Sequence, residues 1–460
     1  MTLERFNILS RLMIGFEGTV VPEYLSRLAE RGLRSVALYG ENIDGPEQLE
    51  QLVNDLRATL GPDAIIAIDE EGGSVTRVDY RTGSRFAGNG FLGKVDDLPL
   101  TARDGKLISQ MLGNLGINLN LAPVADSNSE PLNPVIGMRS FGSIPERVAD
   151  HVASFILGHE SSGVGSTLKH FPGHGNVAVD SHSSMPEVPG GLEELRRSQF
   201  EPFKKGIEAG AAAVMLAHLD VGIGEPTSLS SVIVDILRRE LHFDGLIVTD
   251  ALDMGALGPR AMIPGNALKA LLAGVDLVCM GPRTQVDELD QILTLWASVE
   301  PGVATANEKA ASKRLETFID EHVLLGSEAI ETVEYPEVLV ELPIEGEAQI
   351  VRISSTANPA VGEVPCFPTV PVAFQVRDVL DLEALVKEFA GTTIVLAHTI
   401  DDLKSLDENL NTDLRERIMV ISSELPPPNF SLKCVCTFGS ARPQSRHLVR
   451  QLAQRGIELG

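Results

Sequence analysis

Short apolar runs recur along the first two thirds of the chain, each ending in polar residues or glycine and each followed by a longer segment of helical periodicity. The runs are Arg11–Gly15, Ser35–Tyr39, Ala64–Ile68, Ile117–Ala122, Ser166–Lys169, Ala213–Ala217, Leu246–Thr249 and Val275–Met280. Most lack polar alternation, which fits strands buried on both faces, the habit of parallel sheets. Between them, Pro46–Leu60, Pro145–Gly163, Leu192–Gly210 and Ser230–Leu241 read as amphipathic helices. Eight such repeats predict a TIM (β/α)8 barrel over residues 1–330. An open doubly wound sheet can be threaded through the same runs. The count favours the barrel, and so do the polar residues gathered just after the runs: Asp69-Glu70-Glu71, Asp126, Lys169-His170, His218-Leu219-Asp220 and Asp250. Barrel sites are assembled from the C-terminal ends of several strands, which is this distribution.

From about Leu325 to Gly346 the rhythm is lost, and a linker is placed at 331–346. Beyond it, Gln349–Ser354, Val370–Val376, Thr392–His398, Arg417–Ile421 and Lys433–Phe438 predict a small α/β domain over 347–460. No dense polar constellation stands out there, so the expected role is accessory, stabilising or dimerising.

Composition narrows the class of protein rather than its chemistry. With 43% hydrophobic and 22% charged residues the chain is an ordinary globular one. Its 38 basic against 64 acidic residues give a net charge of −26 without a basic run, which argues against nucleic acid or an anionic membrane as partner. Cys279, Cys366, Cys434 and Cys436 form no C-x-x-C pair, as in a reducing compartment. No stretch approaches the roughly 20 apolar residues of a membrane span, and Met1–Phe6 has no secretory character. The expectation is a cytoplasmic monomer or homodimer.

The candidate chemistry is concentrated in Lys169-His170-Phe171-Pro172-Gly173-His174-Gly175, followed by Asp180-Ser181-His182. Pro172 and Gly173 break any helix that could hold His170 and His174 on one face, which weakens a zinc reading. Asp180 and His182, two apart, suit a dyad in which the carboxylate orients the imidazole and raises its basicity. Asp250 closes the run Leu246–Thr249, where it is either a helix cap or a carboxylate at the barrel mouth. Together with the dyad it supplies a nucleophile and a proton donor, the minimum for retaining glycoside cleavage. In Asp69-Glu70-Glu71-Gly72-Gly73 the glycines permit a sharp turn and close approach to the backbone, and the acids suit hydroxyl groups of a sugar. Gly88-Asn89-Gly90-Phe91-Leu92-Gly93-Lys94 imitates a phosphate loop, but Val95 stands where a magnesium-binding Ser or Thr is needed. No metal or other cofactor is expected.

These segments resemble the β-N-acetylhexosaminidase branch of glycoside hydrolase family 3. The resemblance runs through Asp69–Gly73, Asn133–Gly142, Lys169–His182, Thr227–Ser230 and Val248–Met254, in family order and over the whole predicted barrel. It implies that Asp250 is the nucleophile and that His182, oriented by Asp180, is the general acid/base. It also implies that Asp69, Arg139, Lys169 and His170 hold the non-reducing-end sugar, with Met215 and His218 lining the same pocket. The implied substrate is a glycoside bearing terminal N-acetylglucosamine, of cell-wall or chitin type; Asp180 and His182 would then form a mobile proton-transfer loop. A β-glucosidase of the same family is the nearest alternative, and a phosphorylase using the same site is another. Two positions depart from the family pattern: Glu70 stands where glutamine or histidine is common, and Ser74 where arginine is common.

Overall fold

The computed structural model describes residues 7–322, 331, 334–336, 348–353, 367, 374–376, 378–389, 391–424, 426–437 and 441–454. Seven of the eight runs in the first region contain a strand and Ser166–Lys169 overlaps one that continues to Phe171: β1 (Leu12–Ile14), β2 (Ser35–Leu38), β3 (Ile65–Ile68), β4 (Leu119–Asn120), β5 (Thr167–Phe171), β6 (Ala213–Leu216), β7 (Leu246–Thr249) and β8 (Val278–Cys279). Parallel ladders follow the orders β4-β3-β2-β1-β8 and β5-β6-β7. Isolated parallel bridges, Leu119 to Gly165 and Val124 to Lys169, join the β4 side to β5, while Val248 to Leu277 joins β7 to β8. The strands therefore neighbour one another in chain order around a curled parallel sheet.

Alternation along the strands sorts two packing layers. Met13, Ala37, Ile65, Ala67, Leu119, Ala213, Met215, Leu246, Val248 and Cys279 share the inner cluster. Their neighbours Ile14, Val36, Leu38, Ile66, Ile68, Val214, Leu216 and Ile247 point outward into the larger cluster beneath the helices. Leu315 and Phe318, from the helix Pro301–Glu321, complete the inner layer. The Phe318 ring lies against Gly165, ahead of β5, so this helix plugs the N-terminal end and leaves the C-terminal end open.

Two predicted helices are interrupted. Leu192–Gly210 resolves into Gly191–Ser198 and Phe200–Glu208, parted at Gln199. The Gln199 amide accepts from Ser127 N–H and donates to Ser127 O, tying a strand-end loop in place. Ser230–Leu241 runs as Ser231–Asp235 and then widens into a π-turn at Ile236–Glu240.

Most of the linker expected at 331–346 lies outside the described residues. Tyr335 within it gives its hydroxyl to Asp104 at 2.8 Å and accepts from Ala87 N–H at 3.2 Å, so this point is fastened to the first sheet's surroundings. The later strands are β9 (Ala348–Ile353), β10 (Phe374–Val376), β11 (Thr392–Ala397), β12 (Ile418–Ser422) and β13 (Lys433–Cys436). They form one parallel sheet in the order β10-β9-β11-β12-β13, the doubly wound arrangement. Its faces are covered separately, by Val379–Glu388 with Ile400–Asn409 and by Arg442–Gln454. Among the described residues no helix is long and apolar enough to cross a membrane.

Candidate active site

The open end of the curled sheet holds a cavity of about 400 Å³. Asp69, Arg139, Lys169, His170, His182, Met215 and Asp250 all line it, drawn from four strand ends and two loops. Asp180 stands immediately behind His182, and His218 lies elsewhere.

One side of the cavity is a buried lattice of charge. Lys169 Nζ, on β5, donates to Asp69 Oδ1 at 2.8 Å and meets Glu71 Oε1 at 2.7 Å. Arg139 engages Glu71 with two parallel bonds, Nε to Oε2 at 3.0 Å and Nη2 to Oε1 at 2.8 Å, and donates Nη1–H to Val135 O at 3.1 Å. Such bidentate pairs fix orientation as well as charge. Burial alone would raise the Glu71 and Asp69 carboxyls; the adjacent Arg139 and Lys169 hold Glu71, and Lys169 and Arg77 hold Asp69, below the usual range. Burial likewise opposes the Lys169 ammonium, but Asp69 and Glu71 keep it charged and raise its value.

Asp126, fully buried, organises the adjacent histidines. It accepts His170 Nδ1–H at 2.7 Å and the backbone N–H groups of His170 and His174. That bond assigns the proton to Nδ1 and leaves His170 Nε2 near Arg139 Nη2, 3.5 Å away.

The other side is less enclosed. Asp180 Oδ1 accepts both the Nδ1–H and the backbone N–H of His182, each at 2.8 Å. The Nε2 atom is thus the one free for proton transfer. The loop is tied at two points: Gly255 N–H donates to His182 O and Ala256 N–H to Ser181 O, both at 3.0 Å. Ser181 Oγ also meets His174 Nε2 at 3.1 Å, which gives His174 a tethering role. Burial pushes His174 down to about 4, keeping it neutral.

Asp250 follows β7, its Oδ1 accepting Ala251 N–H at 2.8 Å. Burial would raise this carboxyl, yet His170, His218, His182 and the Ala251 N–H hold it below the ordinary value. It is therefore ionised and available as a nucleophile near neutral pH.

His218 departs from its expected place. It does not line the cavity but lies behind Asp250, accepting from Ser228 Oγ at 2.7 Å and donating to Ala251 O at 2.9 Å. Its contact is with the backbone that carries Asp250. Among the described residues, no group of three or more His, Cys, Asp or Glu is arranged to hold a metal ion.

The sequence profile described as the N-terminal domain of glycosyl hydrolase family 3 matches residues 11–317. The chain belongs to glycosyl hydrolase family 3. A β-hexosaminidase A of Pseudoalteromonas piscicida is 28% identical over 455 residues, 90% of this chain and 75% of that protein. A family 3 β-N-acetylglucosaminidase from Paenibacillus sp. str. FPU-7 superposes with a TM-score of 0.81 at 26% identity, over 100% of this chain and 98% of that one. NagZ from Neisseria gonorrhoeae, in complex with N-trifluoroacetyl-D-glucosamine, gives a TM-score of 0.60 at 28% identity, over 70% and 92% of the two chains. The protein is thus a glycoside hydrolase, related to proteins bearing the β-hexosaminidase name.

Both family 3 departures sit outside the cavity. Glu70 turns away, its Oε2 accepting from Thr76 Oγ1 and the N–H groups of Arg77 and Val78. Ser74 lines a neighbouring cavity instead. The glycines of the acid turn let another stretch of backbone approach, for a Cβ on Gly73 would stand 3.1 Å from Gly88 Cα. The apparent phosphate loop that begins at Gly88 is a short helix, Asn89–Val95. Arg77 was not singled out from sequence, and Glu71 and Asp126 were read only as members of polar strand-end groups, yet Glu71 and Arg77 line the cavity and Asp126 aims His170. For Glu71 and Asp126 the available signal was their position soon after β3 and β4.

Proposed function

We propose that residues 1–330 form a (β/α)8 catalytic barrel, joined through 331–346 to an α/β domain at 347–460, and that the chain is a retaining exo-acting β-N-acetylglucosaminidase. The observation that carries this reading is one cavity bringing an ionised Asp250 together with a carboxylate-oriented His182. Asp69, Arg139, Lys169 and His170 bind hydroxyl and acetamido groups of the terminal sugar, with Met215 beneath it. Asp250 attacks the anomeric carbon while protonated His182 gives its Nε2 proton to the leaving oxygen, forming a covalent glycosyl-aspartate. Neutral His182 then removes a proton from water as it attacks, and Asp250 leaves as carboxylate. Asp180 holds the imidazole in the required tautomer throughout. His218 steadies the Asp250–Ala251 backbone and takes no proton.

Terminal N-acetylglucosamine on cell-wall-derived or chitin-type glycosides is the proposed substrate class. Kinetics of Asp250→Ala, His182→Ala and Asp180→Ala on an aryl N-acetylglucosaminide test the assignment, and wild-type-like turnover by the Asp250 variant overturns it. A second reading, phosphorolysis, draws on the imidazole at the acid/base position, which repels an incoming phosphate less than a carboxylate does. Phosphate-dependent release of N-acetylglucosamine 1-phosphate supports it; undiminished turnover without phosphate rejects it as the main activity.

A further inference from the structure

The second sheet turns its carboxyl edge toward the loops that build the charged side of the cavity. His398 and Thr399 follow β11 and Glu424 lies just past β12, the edge at which open doubly wound sheets bind ligands. Here that edge receives a loop of the first region. Glu424 Oε2 accepts Met138 N–H at 3.0 Å. Gly137, in the left-handed region at φ +43°, comes so close that a Cβ there would lie 2.5 Å from the same oxygen. A side chain at 137 is disfavoured by this backbone geometry and would push the Glu424 carboxyl aside. Glu424 and Arg139 also line one cavity of about 210 Å³ on this seam.

The next residue along the loop is Arg139, and its partner Glu71 belongs to a second loop held by the same domain. Arg442 Nη2 pairs with Asp79 Oδ2 at 2.7 Å, Arg442 N–H donates to Ser84 O at 2.9 Å, and Gln444 Nε2–H to Ala87 O at 2.9 Å. The two loops that meet in the Glu71–Arg139 pair are thus braced from one direction. These contacts are of the stabilising kind expected of the second domain, delivered here by a few polar side chains.

We propose that Glu424 is a positioning residue for sugar binding: by accepting Met138 N–H it sets the 133–142 loop so that Arg139 meets both Glu71 and the substrate. The role rests on the cavity being the N-acetylglucosamine site and names a part of that site supplied by the second domain. It requires an acceptor, not a charge. Withdrawal from water pushes the Glu424 carboxyl up to about 7 against the opposing Met138 N–H and Arg139, so an amide can take its place.

The test is steady-state kinetics on an aryl N-acetylglucosaminide, with calorimetric binding of N-acetylglucosamine, for wild type, Glu424→Ala, Glu424→Gln, Arg139→Ala and the Arg139→Ala/Glu424→Ala double variant. Glu424→Ala should raise KM about tenfold while changing kcat less than about threefold, and Glu424→Gln should stay within about twofold of wild type. In the Arg139→Ala background, removing Glu424 should cost no further affinity, because coupled residues are not additive. An unchanged KM in Glu424→Ala, a glutamine variant as weak as alanine, or fully additive losses would each overturn the proposal. If Glu424→Ala does not fold, Glu424→Asp shortens the reach and carries the same comparison. Failure of the functional reading looks different: wild type then shows no turnover, while calorimetry still reports whether Glu424 governs binding.

Discussion

The two sides of the cavity hold charge in opposite ways. On the proposed sugar-holding side Arg139, Lys169 and Glu71 have side chains 7%, 2% and 2% exposed and locked into mutual pairs. On the proposed proton-transfer side His182 and Asp180 are 25% and 22% exposed, and the loop carrying them is pinned through backbone rather than through ion pairs to other elements. Burial makes the first network electrostatically strong and intolerant of a missing member. Partial exposure lets the second change protonation without reorganising its surroundings. The same contrast recurs within one turn: Glu71, facing two cations, is held below the usual carboxylate range, whereas its neighbour Glu70, with backbone and hydroxyl donors only, is driven by burial and Asp79 up to about 7.

Four changes break or sharpen this contrast. The largest effect belongs to the group between the two sides. Asp250→Ala should lower kcat about 10⁴-fold or more, since a missing nucleophile leaves only binding and residual electrostatics; formation of a trapped glycosyl-enzyme with a slow fluorinated substrate should vanish with it. Next, Glu71→Ala leaves Lys169 and Arg139 buried without their shared partner. A destabilisation of about 3–5 kcal/mol is expected from one broken buried network, read by denaturant melts, with a smaller loss showing that the two cations find other partners.

On the exposed side, His182→Ala should leave folding stability nearly intact while lowering kcat about 100-fold or more for alkyl glycosides. The loss should shrink for nitrophenyl substrates, whose leaving group needs little protonation; equal losses on both would remove His182 from the acid role. The smallest effect separates the neighbouring acids. Glu70 has a folded value raised from 4.5 to about 7, so its contribution to stability is complete below its unfolded value and is lost as pH rises through about 7. Glu70→Gln abolishes that titration, and its melting temperature should fall less than that of wild type between about pH 5 and pH 8. Parallel curves would show that another group titrates there.

Much of this architecture was legible because apolar runs without alternation have few alternatives to parallel strands. All eight first-region runs coincide with or overlap strands, and Pro46–Leu60 matches its predicted helix end to end. The interruption at Gln199 was not legible, because Gln199 is spent on Ser127, a partner 72 positions away. Site residues divided similarly. Asp180 and His182 could be paired from their spacing alone, since a turn brings them together. Glu71 could not be told from a solvated acid, for its meaning depends on Arg139 arriving from another loop. His218 carries the right side chain at the right strand end, yet hydrogen bonds to Ser228 and Ala251 draw it behind the cavity wall. Glu424 gave no signal, because its partner loop lies 286 positions earlier.

The pairing of β1 with β8 places a delay on biosynthesis. Leu12 lies opposite Val278, and Arg11 reaches the carbonyl of Asp276, 265 positions along the chain. At about 5–20 residues per second a ribosome needs roughly 15–50 seconds to deliver that partner. Throughout this interval β1 keeps one unpaired edge, and Leu315 and Phe318, which cover the inner layer, emerge later still. Nascent chains of this protein are therefore expected to engage chaperones until the helix Pro301–Glu321 has left the exit tunnel, and a stop codon ahead of it should yield an aggregating product rather than a smaller enzyme.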